Sequence, residues 1–172
     1  YTNGIWNSLY DGIGSCNMAI SLANKAPFKT EAERNVKVAE ARFLRAIYYF
    51  NAVEQFGGVT MITEPASSMN FAPTRTEPLT IYKEIIIPDL EFAVEWLDKG
   101  NDATTTQPTK KAALGMLAKV CLQTKEYATD EYIPEALDAA KKLITDCESG
   151  GSTYGAYMYP TYEEVFAEKN NK

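Results

Sequence analysis

Residues 30–58, TEAERNVKVAEARFLRAIYYFNAVEQFGG, decide the fold. Thr30-Glu31-Ala32-Glu33 is a capping box: a hydroxyl caps the first turn and a glutamate three residues on reaches back. Val36, Ala39, Phe43, Ile47, Phe50 and Val53 then recur at three- and four-residue steps, the period of one helical face. Gly57-Gly58 stops the run. The spacing predicts a helix over about 31–56 whose apolar stripe needs neighbours to cover it.

The same period continues on both sides. Upstream, Trp6, Leu9, Tyr10, Ile13, Cys16, Asn17 and Ile20 form one stripe on a helix of about 3–25, ended by Pro27. Downstream, residues 57–79 have no helical period and hold Pro65, Pro73, Pro78 and Asn70. They read as a long ordered connection that starts with a short extended piece at 59–63. A loop of this length inside a helical domain tends to be functional. Tyr82, Ile86, Leu90, Ala93 and Leu97 mark a third helix of about 79–98. Pro88 sits within it, where a missing N–H and a ring clash predict a kink or a break. A polar linker follows at 100–107.

Ala113, Leu117, Val120 and Cys121 predict a fourth helix over 109–127. Ile133, Ala136, Leu137, Ala140, Leu143, Ile144 and Cys147 predict a fifth over 133–148, stopped by Gly150-Gly151. The tail from 152 is rich in aromatics, and a short helix is expected at 161–168. The sum is an all-α chain with no strand of any length. Paired amphipathic helices with small residues between them imply a tetratricopeptide-like α/α superhelical repeat array. Residues 1–172 would form one helical-repeat domain with one long loop at 57–79.

Bulk properties exclude several functions. The 172 residues are enough for one domain with its own core. A net charge of −6 leaves no electrostatic footprint for nucleic acid. The apolar runs are too short to span a bilayer. The chain opens Tyr1-Thr2-Asn3-Gly4, without a leader pattern, and reads as a piece of a longer protein. Absence of histidine removes Ser-His-Asp, Cys-His and histidine-zinc chemistry at once. No cysteine spacing suggests a metal site, and no cofactor is implied. Gly12-x-Gly14 lacks both a third glycine and a preceding strand, so it is no dinucleotide fingerprint. The acid pairs Glu31/Glu33 and Glu163/Glu164 read as solvated helix starts, where the dipole favours negative charge.

Cys16, Cys121 and Cys147 are expected to be buried free thiols. In an antiparallel pair of the last two helices, Cys121 and Cys147 would lie roughly 13 Å apart along the axis. A disulfide needs Cα atoms within about 7 Å.

Glu40, Arg42, Arg45 and Asp89 lie within or beside apolar stripes. Charges there are usually paired, because an unpaired buried charge costs several kcal/mol. At least one arginine of the second helix is therefore expected to pair with an acid on a neighbouring helix. The aromatic residues are the only glycan-like signal, since sugar sites use flat ring faces. Trp6 and Tyr162 occupy amphipathic stripes and are expected to fill the core. Phe71, Tyr154 and Tyr157 fall in loops, which carry function more often, and are the candidate ligand contacts.

Four stretches together resemble the SusD/RagB family. They are Trp6-x-x-Leu9-Tyr10-x-x-Ile13-x-x-Cys16-Asn17-x-x-Ile20; Ala39-Glu40-Ala41-Arg42-Phe43-Leu44-Arg45-Ala46, continuing to Phe56-Gly57-Gly58-Val59; Arg75, Tyr82 and Asp89-Leu90-x-x-Ala93; and Thr109-Lys110-x-Ala112-Ala113-x-x-x-Leu117-Ala118-Lys119-Val120. The second stretch is the most specific. Thr60 stands where the family usually has proline, and Gln107-Pro108 replaces its usual arginine and small residue.

The resemblance implies a non-catalytic nutrient-binding component of an outer-membrane uptake system. Its ligand would be an oligosaccharide or other nutrient, and its partner a SusC-like TonB-dependent transporter. The protein would be a surface-exposed lipoprotein that touches the membrane only through a lipid anchor outside this chain. A plain tetratricopeptide-type scaffold for protein–protein contact is the alternative. The long connection at 57–79 favours the first, because ordinary repeats have short, regular turns.

Overall fold

The structure, a computed structural model, describes residues 2–65, 73–100, 106–127 and 129–165. Helix α1 spans Thr2–Lys25 and α2 spans Glu31–Phe56. The Thr30 hydroxyl accepts from the Glu33 amide, and Glu33 Oε2 accepts from the Lys29 amide, close to the expected capping box. Helix α3 is one continuous run built from Pro78–Ile81, a π-helical turn Tyr82–Ile86, and Ile87–Trp96. Helix α4, Lys110–Gln123, is capped by Thr109 and ends in a 3-10 turn, Thr124–Tyr127. Helix α5 spans Ile133–Glu148 and α6 spans Tyr162–Val165. Strand β1, Val59–Thr60, pairs antiparallel with β2, Arg75–Thr76.

The long helices stack in chain order, α1 on α2, α2 on α3, α3 on α4 and α4 on α5. Contacts between neighbours run in opposite directions: Trp6 meets Phe56 while Asn17 meets Arg45. Likewise Tyr82 meets Phe50 while Phe92 meets Arg42. Each helix is thus antiparallel to the next, the tetratricopeptide-like α/α arrangement. Leu9, Ile13, Ala39, Phe43, Val53, Ile86, Leu90, Leu114, Leu117 and Val120 form one buried core through all the layers.

Pro88 does not break α3. The turn before it widens, and the Ile87 amide bonds to the Tyr82 carbonyl, five residues back instead of four. Pro88 then sits in the first turn of the α-helical part, where its missing N–H leaves no gap.

Three core expectations are corrected. Tyr162 is 80% exposed, because α6 is a four-residue turn too short to present a stripe to the core. Cys147 is half-buried rather than buried, although Cys16 and Cys121 are buried and all three are free thiols. The apolar residues of α5 divide into two stripes. Ala136, Ala139 and Asp146 are buried, whereas Leu137 and Ile144 are exposed.

Candidate functional site

Two polar devices fix the loops of this array. The first lies at the root of the 57–79 connection. Arg45 on α2 donates from Nε and Nη2 to the two carboxylate oxygens of Asp89 on α3, at 2.7 and 2.9 Å. It also donates from Nη1 to Asn17 Oδ1 on α1, at 2.9 Å. One guanidinium therefore joins three helices with a bidentate fork and a third bond. Arg42 Nε lies 3.7 Å from Asp89, beyond hydrogen-bond reach, and its guanidinium rests over Phe92 at 4.3 Å. Burial pushes the Asp89 carboxyl above its ordinary value, and the pull of Arg45 only partly offsets that. Glu40 is no part of this cluster; it pairs with Lys37 one turn away.

The cluster continues into the connection. Asn17 donates to the Ile62 carbonyl at 2.9 Å. The Tyr49 hydroxyl donates to that carbonyl at 2.8 Å and accepts from the Ile62 amide at 2.7 Å. Tyr10 donates to the Thr60 carbonyl at 2.7 Å. Burial pushes the Tyr49 hydroxyl up to about 12, so it remains a donor across the neutral range. With β1 paired to β2, both ends of the connection are held at one place. Phe71 lies outside the described residues.

The second device was missed in the sequence. Asp146, buried on α5, accepts from the backbone amides of Thr153, Tyr154 and Ala156 at 2.7, 3.0 and 2.9 Å. Lys111 Nζ holds the Gly155 carbonyl at 3.0 Å. Gly151 and Gly155 have φ of 74° and 73°, a conformation that L side chains rarely adopt. The signal was present: Asp146 follows Ala136, Ala139 and Leu143 at helical spacing, a lone charge in a buried stripe.

This clamped loop carries two of the candidate contacts. Tyr154 packs, half-buried, against the core. Tyr157 is 53% exposed and stands edge-on to Tyr159, with ring centroids 4.9 Å apart. Trp6 is elsewhere, against Tyr10 and Phe56 at the α1–α2 seam.

The Asp146 clamp sets a pH dependence. Burial acts to raise its carboxyl, but the amides of Ala156, Thr153 and Tyr154 outweigh it and hold the carboxyl below its ordinary 3.8. A carboxylate favoured in the fold contributes stability above the unfolded value and loses it as pH falls through the lower folded one. Amide exchange at Thr153, Tyr154 and Ala156, corrected for intrinsic rate, is expected to stay slow at pH 4 and to quicken only below it. Asp146→Ala should make all three amides fast at neutral pH, whereas Asp146→Asn, which keeps one accepting oxygen, should free the Thr153 amide first.

Stacked antiparallel helices that present one pinned connection and one clamped aromatic loop define a tetratricopeptide-like α/α scaffold. Among the described residues no group of His, Cys, Asp and Glu could hold a metal ion, and no helix is long and apolar enough to cross a membrane. The family model for SusD-like proteins, described as starch-binding and associating with the outer membrane, matches residues 1–122. A SusD-like protein of Bacteroides ovatus is 30% identical over 179 residues, covering 98% of this chain and 31% of its own length. The crystal structure of a SusD superfamily protein from Parabacteroides distasonis superposes with a TM-score of 0.78 at 30% identity, covering 85% of this chain and 32% of that one. A laminarin-binding SusD-like protein superposes with a TM-score of 0.73 at 28% identity, covering 94% of this chain and 33% of that one. The chain belongs to the SusD-like family. It spans about a third of the length of the curated relatives it matches, at 31% and 30%.

Proposed function

We propose that this chain is the helical scaffold of a non-catalytic glycan-binding component in a SusC/SusD-like TonB-dependent uptake system. The observation that carries the reading is the likeness to a laminarin-binding relative over 94% of the chain. The full-length protein would be a surface-exposed lipoprotein of the outer membrane that docks on a SusC-like barrel. A sugar would stack on an exposed ring, and Tyr157 on its clamped loop is such a ring. Phe71 and Tyr154 are the other proposed contacts.

Calorimetric titration of the full-length protein with laminarin-derived and other oligosaccharides tests this. Binding of at least one of them is expected, with no release of reducing ends. Tyr157→Ala should weaken that binding about tenfold, or about 1.4 kcal/mol. Failure of every glycan to bind would turn the reading towards a scaffold for protein contacts. Undiminished binding by the Tyr157 variant would remove that residue from the site.

A further inference from the structure

Asp89, Phe92 and Trp96 follow one another at steps of three and four on α3, so they share one face of that helix. The face begins at the buried cluster of Asp89, Arg45 and Asn17. With Arg42 included, that cluster holds one carboxylate and two guanidiniums. Arg45 takes both oxygens of the carboxylate, which leaves Arg42 as the surplus cation. The Arg42 side chain is 32% exposed and makes no hydrogen bond among the described residues. Its Nε is shut off from solvent without a partner, and a buried donor left unmet calls for an explanation.

The guanidinium lies over the Phe92 ring, 4.3 Å from its centroid. Laid flat on a ring, it keeps its N–H donors in their own plane, clear of the ring. One turn further along, the half-buried indole of Trp96 lies 6.2 Å from Phe92, with the two rings inclined by 36°. Both loops described above reach this face. Asn17 holds the carbonyls of Ile62 and Glu64 in the connection. At the other end, three residues past Trp96, the Lys99 carbonyl lies where a Cβ on Gly155 of the clamped loop would meet it at 3.1 Å.

We propose that Arg42 and Trp96 form a subsite for an acidic sugar, in which Arg42 takes the carboxylate of a uronate and the sugar ring rests on Trp96. Phe92 is a positioning residue that fixes the plane of the guanidinium. The proposal rests on the glycan-binding reading and adds the class of sugar. A guanidinium grips a carboxylate by two parallel N–H···O bonds, a fork that a neutral hydroxyl does not match. The chain as a whole carries −6, so a preference for an anionic sugar has to come from a local cation. Salt screens the more distant charges beyond about 8 Å.

The test is calorimetric titration of the full-length protein with tetramers of galacturonate, glucuronate and mannuronate, each beside its methyl ester. The ester keeps the rings and masks the charge. At least one acid is expected to bind tenfold or more tightly than its ester. Arg42→Gln should erase that preference by weakening the acid and leaving the ester unchanged, and Arg42→Lys, with the charge but not the fork, should restore only part of it. Trp96→Ala should weaken acid and ester alike. If Arg42→Gln does not fold, the acid–ester ratio of the unaltered protein and the Trp96 variant decide. Equal affinity for acid and ester, a preference that survives Arg42→Gln, or binding of neutral oligosaccharides alone would overturn the subsite and leave the glycan reading standing. Binding of no glycan at all would remove both.

Discussion

Arg45→Ala is expected to destabilise the chain by about 3–5 kcal/mol, the usual cost of removing one partner from a buried ion pair. Asp89 is 2% exposed and would lose both of its short bonds. Asn17 Oδ1 would lose its partner too. Arg42 cannot substitute, because it sits 3.7 Å away and is held over Phe92. The loss comes mostly from the carboxylate left behind, so removing both charges should cost much less. Replacing a buried pair by apolar residues of similar volume is often neutral or stabilising. The double variant Arg45→Met/Asp89→Leu should therefore recover most of the stability in urea unfolding. Arg42→Ala should cost clearly less than Arg45→Ala. An unchanged midpoint for Arg45→Ala would sink this account of the cluster.

Gly12→Ala is expected to cost about 1–3 kcal/mol, the range for overpacking a close contact. In an exposed helix this exchange is normally favourable by about 1 kcal/mol, because glycine is the poorer helix former. Here the sign reverses. An added Cβ would meet three ring carbons of Tyr48 at 2.5, 2.6 and 2.7 Å. The ring lies flat against the α1 backbone, and it or the whole α1–α2 seam must move. Gly14, with nothing within 4 Å, is the internal control. Gly14→Ala should stabilise, and thermal melts of the two variants should shift in opposite directions. Shifts of the same sign would mean that the seam gives way without strain.

The helices were legible because their signal is local. Capping at Thr30 and three-to-four spacing are written in consecutive residues, and α1, α2, α4 and α5 lie close to where that spacing puts them. Sequence also placed Arg45 and Asp89 inside apolar stripes, but not that they meet, since Glu40 and Arg42 share the same environment type. The loop anchors were out of reach for a different reason. Tyr10, Tyr49 and Asn17 bind backbone carbonyls of residues 60 and 62, and a carbonyl is the same in every residue. Asp146 did show itself as a lone charge in a buried stripe, but its partners are backbone amides, which no side chain marks. Tyr162 was misplaced because a period of 3.6 cannot be read from four residues.

The pinned root of the 57–79 connection has an evolutionary corollary. Thr60 and Arg75 are already partners, so the span of 61–74 behaves as an insert in a closed socket. Lengthening such an insert is cheap, because each doubling adds only about 0.6 kcal/mol of closure entropy. Met61 and Ile62 tie the start of the insert to the helices, while the described helix–helix packing runs directly between neighbouring helices. Relatives can therefore exchange this segment for others of different length and chemistry and keep the array intact, so that the segment can diverge faster than the helices that hold it.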